Sequence, residues 1–112
     1  MRNNIVWSAV VVISLVFAVN SMARDGAEIY KQCAVCHGAK GQGTKGLAPP
    51  HKGNKFIIES KPEDLIKLVL EGRAGAAKKY KEIPIDMPKS GLSEADAEAV
   101  VKYEQGELQT QK

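Results

Sequence analysis

The sequence predicts an all-α fold with long loops. Three stretches repeat apolar residues at helical spacing, and none shows the alternation of a β-strand. The segments between them are rich in glycine, proline and lysine, which is typical of loops. Since the chain has 112 residues, it is long enough for one domain and too short for two.

The first 23 residues are predicted to be a cleaved export signal. Arg2 and the amino terminus supply positive charge, and the apolar stretch 5–19 is shorter than the roughly 20 residues of a membrane-spanning helix. Ser21 and Ala23 are the small residues expected before a cleavage site. Cleavage would leave residues 24–112 in the periplasm or otherwise exported, without stable membrane insertion. The alternative is a retained signal anchor.

The first predicted helix begins at Asp25 and ends near His37. The Asp25 carboxylate can cap the helix, and Glu28 stands three residues later, as in a capping box. Ile29, Tyr30 and the two cysteines recur at helical spacing, so the helix is expected to present one apolar face that carries both thiols.

Two further helices are predicted after a glycine- and proline-rich loop over residues 38–53. Ser60 and Pro62 indicate the start of the second helix, and Gly72 its end. Ser93 starts the third, where acidic residues in the first turn favour the positive end of the helix dipole. The apolar faces consist of Leu65, Ile66, Val69 and Leu70 in the second helix, and Ala99, Val100 and Tyr103 in the third.

Residues 33–37 form the strongest chemical motif, Cys-Ala-Val-Cys-His. Cys-x-x-Cys-His is the pattern that attaches a c-type haem. Residues three apart share one face of a helix, so Cys33 and Cys36 can bond to two vinyl groups of one porphyrin edge. His37, the next residue, can then bind the iron. The motif predicts one covalently attached haem, whose apolar face would also enlarge a core that has few aromatic residues.

Other uses of the two cysteines fit the sequence less well. A structural zinc site needs four ligands, and His51 is the only other Cys or His in the chain. A thioredoxin-like pair belongs in a βαβ unit, which the pattern does not indicate. A structural disulfide is the simplest alternative in an exported protein, but it gives no role to His37.

The mature region resembles the class I cytochromes c, particularly the small soluble bacterial ones. The likeness rests on the order and spacing of several short motifs. These are Gly26 and Tyr30, the run 33–38, the run 49–54, Met87-Pro88, and Leu92-Ser93 followed by Tyr103. The resemblance implies the class I fold, three main helices and long loops wrapped around one haem.

The resemblance also implies roles for Met87 and Pro49. A methionine followed by proline before the last helix is the second iron ligand in this family, and a thioether stabilises ferrous iron. Met87 is the only methionine of residues 24–112, although methionines also serve as simple core residues. Pro49 matches the proline whose carbonyl accepts a hydrogen bond from the proximal histidine, and Tyr30 and Tyr103 match an aromatic pair where the first and last helices cross.

Two features depart from the family pattern. His51 stands where a leucine is usual, and is expected to be either a partly exposed packing residue or a competing iron ligand. Residues 72–85 differ from the compact ligand loops of the smallest members.

With both axial positions filled, the predicted function is one-electron transfer between redox proteins, not catalysis. Two alternatives remain: a subunit of a larger oxidoreductase complex, or a gas-binding, sensory or peroxidase-like haem protein if Met87 does not bind stably. The chain is expected to be a monomer or weak oligomer.

The distribution of charged residues indicates which classes of binding partner to expect. The formal net charge of +3 is small, so it gives no argument for nucleic-acid binding. Lysines cluster in two segments that border the haem in the family, which predicts a basic rim suited to an acidic docking surface. The rim lysines are Lys40, Lys45, Lys52, Lys55, Lys78, Lys79, Lys81 and Lys89, whereas Glu94, Asp96, Glu98, Glu104 and Glu107 are expected to form a more acidic side.

Overall fold

The computed structural model describes residues 24–112, so the predicted export signal lies outside the described residues. Two isolated β-bridges are the only β-structure in this part of the chain, and no helix of it is long and apolar enough to cross a membrane. The all-α prediction is confirmed. The helices are α1 (Gly26–His37), α2 (Lys55–Glu59), α3 (Pro62–Glu71) and α4 (Glu94–Gln105), with 3₁₀ turns at Gly75–Ala77 and Glu107–Thr110.

The predicted helix ends are present in α1, α3 and α4. The Asp25 side chain accepts a hydrogen bond from the Ala27 N–H at 3.2 Å, and the Ser93 hydroxyl accepts one from the Asp96 N–H at 3.1 Å. Gly72 follows the last residue of α3 with φ of 72°, a conformation that glycine adopts readily. Helix α2 was not predicted as a helix. It begins after Asn54, whose side chain caps it.

Helix α1 crosses α4 at close range. A Cβ atom at Gly26 would overlap the Ala99 carbonyl oxygen and approach Tyr103 Cβ to 2.8 Å, so glycine is required for this approach. The rings of Tyr30 and Tyr103 lie 5.4 Å apart at an angle of 45°, in the tilted arrangement that aromatic pairs favour. The two tyrosines therefore pack where the first and last helices meet, as the sequence predicts.

The core lies among α1, α3, α4 and the last 3₁₀ turn. Its largest fully buried side chains are Ile29, Tyr30, Leu65, Val100, Val101 and Leu108. Cys33 and Leu68 pack at its edge. One side of this small core borders a cavity, and the candidate functional groups lie on the wall of that cavity.

Candidate functional site

A cavity of about 420 Å³ opens between the end of α1, the loop that follows it and the segment after α3. Apolar and sulfur-containing side chains make up much of its wall. The residues that matter most for the chemistry are Cys33, Cys36, His37, Pro49, Leu68 and Met87. The structure thus brings all five sequence-predicted site residues to the wall of one cavity.

Cys33 and Cys36 lie one turn apart near the end of α1. Both are half-buried, neither is in a disulfide, and both line the cavity. Burial, with a smaller contribution from the charge of Glu104, raises the pKa of the Cys33 thiol to about 12. The pair therefore presents two free sulfur atoms to one cavity, at the i, i+3 spacing that places them on one helix face.

His37 is the last residue of α1 and is buried. Its Nδ1 lies 2.8 Å from the carbonyl oxygen of Pro49, so Nδ1–H donates this hydrogen bond and Nε2 is left as the nitrogen with a free lone pair. Burial lowers the pKa of His37, against an opposing effect of the Pro49 bond. The imidazole is thus neutral at neutral pH, as a metal ligand must be.

Met87 is held at the cavity by backbone pairing with Arg73. The N–H of each residue donates to the carbonyl oxygen of the other at 2.8 Å. Gly72 permits this approach, because a Cβ atom there would overlap Met87 O and reach Pro88 C at 2.7 Å. Met87 and His37 also line a second, smaller cavity of about 30 Å³. The thioether and the imidazole therefore face a common space.

Two buried polar side chains beside His37 were not predicted as part of the site. His51 was expected to be either a partly exposed packing residue or a competing iron ligand. It is buried, and its ring stacks on that of His37 with centroids 3.8 Å apart. Glu104 was grouped with the acids of an exposed acidic side, but it is 3% exposed, so that assignment is wrong for this residue. The two side chains are neighbours in space, because His51 Nδ1 lies 3.6 Å from Glu104 Oε1.

These residues fit a covalently attached haem. Two free thiols share one helix face, a neutral imidazole has Nδ1 engaged and Nε2 free, and a soft thioether lies on the same cavity. Soft sulfur and imidazole donors suit iron in a haem. Among the described residues, no group of three or more His, Cys, Asp or Glu side chains offers a separate metal site.

Comparison with known proteins gives the family. The Cytochrome c family model matches residues 23–104 of this chain. The chain belongs to the cytochrome c family. It therefore carries covalently bound haem c, and the family supports electron transfer through that haem. The predicted membership of the small class I cytochromes c is confirmed.

Curated relatives match over part of the chain. Cytochrome c-552 of Thermus thermophilus is 46% identical over 54 residues, which is 46% of this chain and 41% of that protein. The cytochrome c subunit of alcohol dehydrogenase (quinone) from Gluconacetobacter polyoxogenes is 33% identical over 54 residues, 47% of this chain and 12% of that protein. The aligned region thus spans less than half of each of these relatives.

A solved structure shows the same fold. The KustC0563 c-type cytochrome superposes with a TM-score of 0.52 at 24% sequence identity, covering 73% of this chain and 95% of that one. The predicted class I cytochrome c fold is therefore confirmed.

Proposed function

We propose that this cytochrome carries single electrons between redox proteins, with thioether bonds at Cys33 and Cys36 and with His37 and Met87 as the two axial iron ligands. The observation that carries the proposal is the presence of all four side chains on one cavity. When bound there, haem supplies reversible one-electron chemistry at its iron. With His37 and Met87 both holding the iron, no position would remain there for a substrate, and the protein would act as a carrier and not as an enzyme by itself.

The polypeptide's part in this function is to hold the two ligands and keep water away. Pro49 fixes one edge of the His37 ring, as expected for a second-sphere partner of a metal-bound histidine. The backbone pairing of Arg73 with Met87 anchors the thioether on a segment that otherwise has no regular structure except one 3₁₀ turn. Leu68 and Ile57 line the cavity and make it apolar.

A second candidate is an electron-transfer subunit of a larger oxidoreductase. It is favoured by the likeness to the cytochrome c subunit of alcohol dehydrogenase (quinone). Native size-exclusion chromatography separates the two: a free carrier elutes as a monomer or weak oligomer, and a subunit elutes with its larger partner.

We further propose that the protein is exported and that residues 1–23 are removed. The position of Arg24 supports cleavage before it. Its backbone nitrogen lies 3.1 Å from Asp96 Oδ1, and its side-chain Nε lies 3.0 Å from Asp96 Oδ2. The backbone bond from Arg24 is the main cause of the lowered pKa of Asp96. Cleavage would turn this nitrogen into an ammonium group already facing a carboxylate.

Intact mass of the purified native protein tests the export proposal. We expect the mass of residues 24–112 plus one haem, because the signal is removed on export and haem is attached to the mature chain. Acid acetone extraction is the control, since it removes a non-covalent haem and leaves a covalent one. A mass that still contains residues 1–23 would show that the segment is a retained anchor.

We also propose that a basic rim beside the cavity docks an acidic partner. Lys78, Lys79 and Lys89 line the cavity. The Lys79 ammonium lies 4.4 Å from the centroid of the Phe56 ring, which holds this charge close to the site. Positive charge near the haem would steer an acidic surface toward the point of electron transfer.

The rim predicts a salt-dependent reaction. Changing Lys79 and Lys81 together to glutamate is expected to slow the second-order reaction with a natural partner on the order of tenfold at low ionic strength. Wild-type rates should also fall as salt rises, because screening acts over about 8 Å at physiological ionic strength. Stopped-flow absorbance measures both effects. The matched control changes Lys61 and Lys67, which are exposed and are not among the rim lysines, to glutamate. Equal rates for the two double variants, or wild-type rates indifferent to salt, would overturn the rim proposal.

A further inference from the structure

The starts of α1 and α4 are joined through Arg24 and Asp96. Arg24 precedes Asp25, the N-cap residue of α1, and Asp96 lies in the first turn of α4. The Arg24 backbone N–H donates to Asp96 Oδ1 at 3.1 Å, and the guanidinium Nε and Nη2 each lie 3.0 Å from Asp96 Oδ2. One carboxylate therefore uses both oxygens to hold the backbone and the side chain of a single residue.

The Asp96 carboxylate has a fixed position and one partner. Its side chain is 16% exposed, and its backbone N–H donates to the Ser93 hydroxyl at 3.1 Å. Among residues 24–112, only Arg24 donates hydrogen bonds to this carboxylate. Exposed ion pairs contribute little to stability as a rule, and the exceptions are those in which several contacts converge with good geometry. The contact between Arg24 and Asp96 meets that condition.

This contact lies beside the crossing of α1 and α4. Gly26, two residues after Arg24, lies so close to the Ala99 carbonyl oxygen that a Cβ atom there would overlap it. The two helices are thus in direct backbone contact immediately after the point where Arg24 and Asp96 join them. A stronger bond between these two residues is therefore expected to stabilise the packing of the first helix on the last.

Removal of residues 1–23 changes the chemistry of the Arg24 nitrogen. In the uncleaved chain this nitrogen belongs to a peptide bond and donates one uncharged N–H. Hydrolysis of that bond adds water, leaves a carboxylate on Ala23 and makes the nitrogen a primary amine. Such α-amino groups are mostly protonated at neutral pH, because they ordinarily titrate at about 7.7–8.0. The new ammonium group already lies at hydrogen-bond distance from Asp96 Oδ1, and charge-assisted hydrogen bonds are roughly twice as strong as neutral ones.

We infer that removal of residues 1–23 strengthens the packing of α1 on α4, because the new Arg24 ammonium group forms an ion pair with Asp96 that the uncleaved chain lacks. The inference rests on the proposed cleavage before Arg24. It goes beyond that proposal, since it gives the new amino terminus a role in the folded protein. The exported cytochrome thereby gains stability that its precursor does not have.

The ion pair predicts a particular pH dependence. The neighbouring carboxylate raises the pKa of the amine, so the added stability is present below about pH 7.7 and is lost as the pH rises through the raised value. Asp96 stays charged throughout, because its bond from the Arg24 backbone lowers its pKa. The other ionisable groups near the two helix starts are Asp25, Glu28, Lys31, Glu94 and Tyr103. Carboxyl groups in general titrate near pH 4 and lysines near pH 10.4, and burial raises the pKa of Tyr103.

Urea unfolding of the oxidised native holoprotein tests the inference in four forms. The amino terminus is free or acetylated, and residue 96 is wild type or Asp96→Asn. Acetylation restores an uncharged amide N–H at Arg24, as in the uncleaved chain. At pH 7 and low ionic strength, we expect acetylation to lower the urea midpoint on the order of 0.3 M in the wild type and to leave Asp96→Asn unchanged. At pH 10, where the amine is neutral, the two wild-type forms should unfold at the same midpoint.

Glu94→Gln is the matched control. Glu94 is an exposed acid two residues from Asp96, so its replacement should keep the full effect of acetylation. An acetylation effect that is equal in the wild type and Asp96→Asn, absent from the wild type at pH 7, or undiminished at pH 10 would overturn the inference. The pH comparison needs no variant, so it decides the question even if Asp96→Asn does not fold.

Intact mass distinguishes this outcome from failure of the cleavage proposal. A native protein that retains residues 1–23 has no Arg24 ammonium group, and both proposals then fail. A native protein that begins at Arg24 but shows no coupling between its amino terminus and Asp96 leaves the cleavage proposal standing and overturns the ion pair alone.

Discussion

Replacing Met87 with alanine is expected to abolish the sulfur-to-iron charge-transfer band of the oxidised protein. It should also lower the reduction potential by a substantial part of the roughly 0.8 V range that axial ligands span, since a thioether favours ferrous iron. The vacated position should then bind added imidazole or azide. Visible absorbance and a redox titration measure these effects. These effects are expected to be large because residues 24–112 contain no other methionine to replace Met87.

The control for this prediction is Ile85→Ala. Ile85 also lines the cavity and lies two residues from Met87, but it has no ligand atom, so the band should persist. An unchanged spectrum in Met87→Ala would mean that another side chain is the sixth ligand. His51 is a poor substitute, because its ring stacks on that of His37 and therefore lies beside the proposed proximal ligand.

A loss of covalent haem and of most of the stability is expected when Cys33 and Cys36 are both changed to alanine. Such a chain cannot attach haem covalently, so denaturing gels stained for haem should show none. Without haem the cavity of about 420 Å³ loses its apolar filling, and the remaining core is small. We expect a loss comparable with the whole stability of a small domain, about 5–15 kcal/mol. Far-ultraviolet circular dichroism should then show no cooperative thermal transition.

Val35→Ala is the matched control for the cysteine variant. Val35 lies between the two cysteines and is 78% exposed, so its truncation should leave both haem content and melting unchanged. A cysteine-free chain that keeps haem through denaturation, or that melts cooperatively without haem, would contradict the assignment.

Local signals in the sequence account for much of this fold. Asp25, Gly72 and Ser93 mark helix ends because capping and positive φ angles depend on the residue itself and its near neighbours. The Cys-x-x-Cys-His motif is also local, so the haem attachment site can be predicted from the sequence alone. Helix α2 escapes prediction because five residues are too few to show helical periodicity.

What could not be predicted depends on contacts between distant residues. The period of α4, which buries Ala97, Val100 and Val101, also places Glu104 on the buried face, but its position beside His51 depends on how the distant loop packs against the helix. The pairing of Arg73 with Met87 likewise joins two ends of an irregular segment. No spacing rule relates such partners, because each contact is set by how the loops pack against the helices.

Addition of carbon monoxide to the reduced protein tests the central claim most directly. An electron carrier whose iron is held by both His37 and Met87 has no free position, so the ferrous absorbance spectrum should remain unchanged at neutral pH. Rapid appearance of a carbon monoxide complex would contradict the account. It would show that Met87 does not hold the sixth position and that the protein binds gases or substrates at its iron.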